Sequence, residues 1–597
     1  MPYRENNLAL LKKHHPALVA VYESASGASV ETFAAKNGLP VFRYAGAAFH
    51  GIMKPEEEGE RLASAVPGGV KNVWVFGLGY GYHIAGLLKR GLNVTVFEPS
   101  PDIFKSAVEN ADMGAILEKA KIVVGGNIRG ELEKADYSCA QLVPHRPYPR
   151  FFEKQWEKLN TVFGVRSFLA QRRLKVLLVG PIYGGTVPTF HYVRAALENI
   201  GAEVATFDAA QFVSGYFALD GVTSNHVHQA QLKRRYSDTL GEGVVAMADE
   251  QRPDLILVMA QAPLDTSPLS RLRELKVPIA FWFVEDFHTL TYWDRVAPLY
   301  DYFFTIQRGA FFDKLQAAGA RRVAYLPQAA SPAHHHPVAL TPEEKASYGS
   351  DLSFMGAGYH NRKQFFHGLL DYDFKIWGTE WDLNTAVGER VQNRNRRMSP
   401  EEYTKVFCAS KINLNLHSST MLSGIDPVGD FVNPRVFELG ACGAFSLVDF
   451  RAELPPLLEE GSEMATYRSL ADLREKIDHY LAHPKDRERI AATARARVLE
   501  EHTFECRMES LLAAVIACEG PTFGAGRDSG AVYARNLAGK MAEEAADDPE
   551  LVAFLKQFPA DEVFSLKEAV DKINRGSGGL SRSESLLLMV NEVLIQG

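Results

Sequence analysis

The chain has 597 residues and a formal net charge of −8 at pH 7. It is too long for a single domain and too acidic for a mainly electrostatic partnership with nucleic acid. A hydrophobic fraction of 46% and a charged fraction of 23% are ordinary for a globular protein. The opening MPYRENNLALLKKHH has no apolar core of the kind a signal peptide needs, and no apolar run reaches a membrane span, so a cytoplasmic protein without membrane insertion is expected. Cys139, Cys408, Cys442, Cys506 and Cys518 lack CxxC spacing and read as reduced thiols.

Residues 1–70 predict a short helix near Leu8, strands around Val19 and Val41, and an acidic helix from Pro55. Next comes VWVFGLGYGYHIAGLLKRGLNVTVFEPSPDIF, a buried strand at 73–76, a turn of Gly77, Gly79 and Gly81, a helix at 82–90, and a second strand ending on Glu98. A glycine turn between strand and helix, with an acid closing the second strand, is the pattern of a nucleotide-binding half-fold. Glu98 would then hold a ribose. Tyr82 stands where the dinucleotide fingerprint has its third glycine, which disfavours NAD. The GxGxG form resembles S-adenosylmethionine-dependent methyltransferases. It resembles more closely the central Rossmann-like region of motility accessory factors, which glycosylate flagellin. The other reading is that the glycines serve strand–helix packing and the site is empty. The clear βα alternation stops within about twenty residues of Asn127, short for a methyltransferase, so S-adenosylmethionine is disfavoured as a cofactor.

Residues 150–172 read as a connecting helix. A second α/β unit opens with LKVLLVGPIYGGTVPTF: a strand, a turn at Gly184 and Gly185, and a helix beginning at Thr186. Further strands at 204–207, 255–259, 279–284, 302–306 and 323–326 argue for a parallel doubly wound sheet. Ligands in such sheets sit at the carboxyl ends of strands. Glu285, Asp286 and His288 lie at one such end, and Gly184 and Gly185 at another. His334, His335 and His336 form a proline-flanked hinge, since three adjacent histidines cannot all face one ion.

A third unit starts with DLSFMGAGYHNRKQFF, where Gly356 and Gly358 open a turn and Asn361, Arg362 and Lys363 lie at a helix start. Asp371-Tyr372-Asp373 has the spacing of a metal-binding Asp-x-Asp but sits at a turn, where carboxylates serve turn chemistry. Ser399 to Glu402 is a capping box. Arg394, Arg396 and Arg397 form a small basic loop before it. Then KINLNLHSSTMLSGIDPVGDFVNPRVFELGACGAFSLVDF reads as strand, polar loop, helix, strand, with His417 at the strand's carboxyl end. Asn433 is placed to cap the helix with Pro434 at its first position. The free N–H groups there suit a phosphate. Arg435 adds a planar cation, and Glu438 lies one turn in, near enough for ribose or sugar hydroxyls. The competing reading is a solvated turn carrying an Arg435–Glu438 ion pair.

NPRVFELGACGAFSLVD resembles the C-terminal half of CgeB-like glycosyltransferases, members of the GT-B superfamily, and the resemblance extends over 174–514. It implies an α/β fold: a GT-B type pair of Rossmann-like domains at 173–335 and 345–518, preceded by an additional Rossmann-like domain at 1–165 and followed by a helical tail at 531–597. It also implies a nucleotide-sugar donor between the two sheets. Gly356 and Gly358 would cradle its diphosphate, with Arg362, Lys363, Arg435 and the helix after Asn433 as counter-charges and Glu438 on its hydroxyls. Related retaining enzymes carry Glu-x7-Glu, and here Ser446 stands at the second place. Asp286 would be the general base of an inverting reaction. In a retaining one, Asp286 and His288 would hold sugar hydroxyls, with His417 facing the cleft. No metal is required, because these enzymes stabilise the leaving diphosphate with a helix dipole and bases. The paired resemblance suggests flagellin or another surface protein as acceptor. The tail offers packing on the body, homodimer formation or docking of a partner protein. Two rival classes stay open: a methyltransferase using Gly77–Gly81 and Glu98, and a non-catalytic scaffold.

Overall fold

The computed structural model describes residues 3–126, 128–419, 422–426, 428–524, 537–558 and 566–596. Three parallel sheets, each flanked by helices, follow one another along the chain.

The first sheet has four strands in the order Lys121–Val124, Asn93–Glu98, Asn72–Phe76, Ala140–Pro144. Val73, Val75 and Phe76 are wholly buried, as a strand covered on both faces requires. A small antiparallel sheet, Val30–Ala34, Pro40–Tyr44 and Ala47–Ala48, precedes it. One reading is corrected here: Val19 lies in the helix Ala17–Ser24, not in a strand. One more strand joins the sheet before the alternation ends, since Ala140–Pro144 pairs in parallel with Asn72–Phe76. That strand is short and mostly half-buried, and the helix before it, Arg129–Leu132, has a single turn, so neither leaves a clear period.

The second sheet has six strands, in the order Val323–Tyr325, Tyr302–Thr305, Ile279–Phe283, Leu255–Met259, Lys175–Val179, Glu203–Phe207. The third has five, in the order Phe374–Trp377, Leu352–Met355, Ile412–Asn415, Ser446–Asp449, Ala465–Tyr467. The helix Phe504–Glu519 comes after the third sheet in sequence but buries Phe504, Met508, Leu511, Leu512 and Val515 in the core of the second. Two parallel doubly wound units are the GT-B type pair of Rossmann-like domains that the resemblance implied, and this helix ties the second of them back to the first. The same helix anchors the first domain, because its buried Glu509 receives Arg129 Nη1 at 2.5 Å and Arg166 Nε at 2.7 Å. The tail helices gather their own small core around Ala538, Phe554, Leu555, Ala569 and Ile573. Among the described residues, no helix is long and apolar enough to cross a membrane.

Candidate active site between the second and third sheets

A cavity of about 770 Å³ opens where the carboxyl ends of the two sheets face each other. Glu285, Asp286 and His288 line it from beyond the strand Ile279–Phe283, and Ile306 from beyond Tyr302–Thr305. The third sheet contributes Tyr359, Ser418, Ser419, Asn433 and Arg451. In parallel α/β sheets this edge is where ligands bind, because the crossover loops leave a crevice there. Gly184, at the end of Lys175–Val179, accepts a hydrogen bond from Arg397 Nη2 at 2.9 Å, which ties the two domains beside the cleft. Gly185 precedes the helix Thr186–Ile200.

Asp286 is held by its own loop. Its Oδ1 accepts from the His288 backbone N–H at 3.1 Å and lies 2.9 Å from His288 Nδ1. Gln307, fully buried, donates Nε2 to Asp286 Oδ1 at 3.1 Å and to Asp430 Oδ1 at 2.7 Å, bridging the two domains. Asp286, His288 and Asp430 offer donor atoms within 4.8 Å of one another, which makes them the residues able to hold a cation. Glu285 accepts from Thr186 Oγ1 at 2.6 Å, and burial pushes its pKa up. Gln307 and Asp430 escaped sequence reasoning. Gln307 follows a buried strand and was findable from that position; Asp430 lies in a polar loop with no distinguishing pattern.

Several expected site residues have other work. His417 is fully buried. Its Nδ1 lies 2.6 Å from Asp449 Oδ1 and its Nε2 accepts the Asn433 N–H at 3.1 Å, so both nitrogens are occupied and the ring is a strut, not a cleft base. Arg362 is also buried. It donates Nε and Nη2 to Leu416 O at 3.0 and 2.8 Å and Nη1 to Ala357 O at 2.9 Å, which leaves its guanidinium turned into the domain and not toward a phosphate. Burial pushes its pKa down to about 10. Added Cβ atoms at Gly356 and Gly358 would crowd Phe354 and Trp381 respectively, so these glycines permit close packing of the turn on its own domain. Lys363 is half-buried and has no ion pair among the described residues.

The helix after Pro434 begins at Arg435 and runs to Ala441, and it lacks a side-chain cap. Asn433, expected as that cap, instead exchanges amide hydrogen bonds with Asn415 at 2.9 and 3.0 Å, while still lining the cleft. Arg435 pairs with Glu438 and stacks over Tyr403 and Phe407, 4.9 and 5.0 Å from their ring centres. The ion pair belongs to the competing reading, but the turn is not solvated, because Glu438 and its helix are buried. Glu438 also lies 3.8 Å from His335 Nε2 at the hinge.

The glycine turn of the first domain is filled by protein. Glu98 is fully buried and accepts from the Leu78 and Ser100 N–H groups, both at 2.9 Å, and from the Tyr148 hydroxyl at 2.5 Å. Tyr148 also accepts the Gly79 N–H at 2.9 Å. A Cβ on Gly77 would overlap the Tyr148 ring, one on Gly79 would meet His50, and one on Gly81 would overlap Ile116. The ribose position proposed for Glu98 is thus sealed by Tyr148.

Residues 362–513 match the family described as Glycosyl transferase-like. Spore protein CgeB of Bacillus subtilis (strain 168) is 25% identical over 264 residues, 42% of this chain and 80% of that protein. Sucrose-phosphate synthase from Thermosynechococcus elongatus is 12% identical, with 58% of this chain and 100% of that chain covered at a TM-score of 0.40. Anabaena HepE, in complex with UDP and glucose, is 12% identical with the same coverages and a TM-score of 0.39. The strands and helices over 362–513 therefore make up a glycosyl transferase-like region, similar to CgeB, within a GT-B architecture.

Proposed function

We propose that the chain transfers a sugar from a nucleotide-sugar donor, held between the second and third sheets, to an acceptor. The observation that carries this reading is the 770 Å³ cleft at the carboxyl ends of both sheets, with Asp286 on one wall and Asn433 at a helix entry on the other. Asp286 is the general base of an inverting transfer. It is fixed by Gln307 and His288 yet opens into the cleft. Glu285, with its raised pKa, is the adjoining group that can carry a proton. In this reading the transfer needs no metal, and the Gln307 amide holds the carboxylates of Asp286 and Asp430 together across the cleft. A surface or flagellar protein is the acceptor in this reading, supported by the motility-factor-like pattern of the first domain. The glycine turn supports the methyltransferase alternative poorly, since Tyr148 occupies the place beside Glu98.

The test is a panel of nucleotide sugars followed by donor hydrolysis and calorimetry. One nucleotide sugar is expected to bind and turn over slowly without acceptor. A panel in which none binds would remove the reading.

A further inference from the structure

The first domain holds a separate cavity of about 440 Å³, whose lining does not include Glu98. Its walls include His50, Arg61, Tyr82, His83, His145 and Arg146. His145 and Arg146 directly follow the strand Ala140–Pro144, and His83 lies in the helix after the strand Asn72–Phe76. Those strands are neighbours. The chain runs outward from Asn72–Phe76 to Lys121–Val124 on one side and then returns to add Ala140–Pro144 on the other. The cavity therefore sits at the point where strand order reverses, the position at which open parallel sheets bind ligands.

The lining is polar where burial would favour carbon. His50, His83 and His145 are at most 5% exposed. His83 and His145 stack with ring centres 4.4 Å apart, and His50 lies 4.8 Å from His145. His50 Nε2 accepts the Tyr80 N–H at 2.8 Å, and His83 Nε2 donates to Gly77 O at 2.9 Å. His145 Nδ1 is buried, closed off from solvent and without a partner among the described residues, a condition that costs free energy. Burial drives His50 to about 3 and His83 to about 4, so the cavity presents neutral imidazoles to its contents. The Arg61 and Arg146 side chains are exposed, line the cavity, and make no ion pair or hydrogen bond among the described residues. Glu58 also lines the cavity, its carboxylate accepting the Gly51 N–H at 2.6 Å. Two guanidinium groups against one carboxylate, over a neutral hydrogen-bonding floor, suit a phosphate attached to a polar ring system. The volume falls in the range of small-molecule sites.

We propose that this cavity binds a nucleoside 5′-monophosphate or a molecule of that size and charge, with the phosphate at Arg61 and Arg146 and the base or sugar lying over the imidazole rings of His50 and His145. The site is distinct from the cleft between the second and third sheets and does not depend on the function proposed for that cleft.

The test is calorimetric titration of the full chain with the four ribonucleoside 5′-monophosphates, the matching nucleosides and S-adenosylmethionine. At least one monophosphate is expected to bind more tightly than its nucleoside. The surface double variant Arg61→Ala, Arg146→Ala should weaken it tenfold or more, and His145→Phe, which removes the polar nitrogens from the cavity floor, should weaken it as well. Asn433→Ala, in the distant cleft, should leave it unchanged. The inference fails if no monophosphate binds, if the double variant binds as the parent does, or if Asn433→Ala removes the binding. It also fails if S-adenosylmethionine binds instead and is lost in Glu98→Ala. None of these results bears on nucleotide-sugar turnover in the cleft.

Discussion

His417 and Asp449, both fully buried, meet across 2.6 Å between Nδ1 and Oδ1, and through this pair the third sheet holds the entry of the helix at Arg435. Burial works against ionising Asp449, but His417 and Arg451 outweigh it and hold its pKa below the usual carboxylate value. Asp449→Ala would strand Arg451, which is also buried, and should cost about 3–5 kcal/mol of stability. His417→Ala should lower stability and donor affinity together, because the Asn433 N–H loses its acceptor. The pH–rate profile should keep its shape. A lost limb in that profile, with donor affinity intact, would make His417 a proton carrier after all.

Asp286 opens into the cleft with fixed geometry, so Asp286→Asn should keep the fold and nucleotide affinity. It should lower the transfer rate by roughly 10²–10⁴, the usual contribution of a general base. Steady-state kinetics beside calorimetry separates the two quantities. A variant that loses affinity and rate equally would make Asp286 a binding residue.

The donor atoms of Asp286, His288 and Asp430 lie within 4.8 Å of one another, so metal dependence can be tested sharply. Transfer is expected to survive EDTA, and added magnesium or manganese should change the rate by less than about threefold, under 1 kcal/mol. Loss of activity in EDTA that manganese restores, and that Asp430→Ala abolishes, would assign the cluster to a cation.

Gly77 has φ +103°, and a Cβ there would overlap the Tyr148 ring. Gly77→Ala should therefore destabilise the first domain by on the order of 3 kcal/mol through strain and overpacking. Gly68→Ala, in open space, should stay within about 0.5 kcal/mol of the parent. Urea unfolding followed by tryptophan fluorescence reads both. Unchanged stability in Gly77→Ala would return this turn to the role of a ligand cradle.

Burial lowers His50 to about 3, and His83 and His335 to about 4, from an ordinary 6.5. These rings stay neutral in the folded chain while the unfolded chain takes up protons. Their contribution is present above 6.5 and is lost as pH falls toward the folded values, by up to about 1.4 kcal/mol per pH unit for each ring. Glu98 acts in the opposite sense. Burial raises it to about 7, so its contribution is complete below 4.5 and is lost as pH rises through 7. Three rings outweigh one carboxyl, and the urea midpoint should be lower at about pH 5 than at about pH 7.5. Glu98→Gln should deepen that fall. A midpoint that is higher at about pH 5 than at about pH 7.5 would show that Glu98 acts alone and that these rings titrate normally.

The amino-acid sequence alone determined the α/β class and the parallel sheets. These follow from runs of buried residues and from capping chemistry within a few positions, as in Ser399 accepting the Glu402 N–H at 3.3 Å. Tertiary structure decided which polar groups meet. Gln307 reaches Asp430 over 123 positions, Arg362 spends its donors on Leu416 54 positions away, and Tyr148 closes over Glu98 50 positions away. It also decided that Ala140–Pro144 joins the first sheet and creates the crevice beside His145. Periodicity and caps are local energies, legible wherever the residues stand. A hydrogen bond between distant side chains depends on how sheets and loops stack, and no local pattern encodes it.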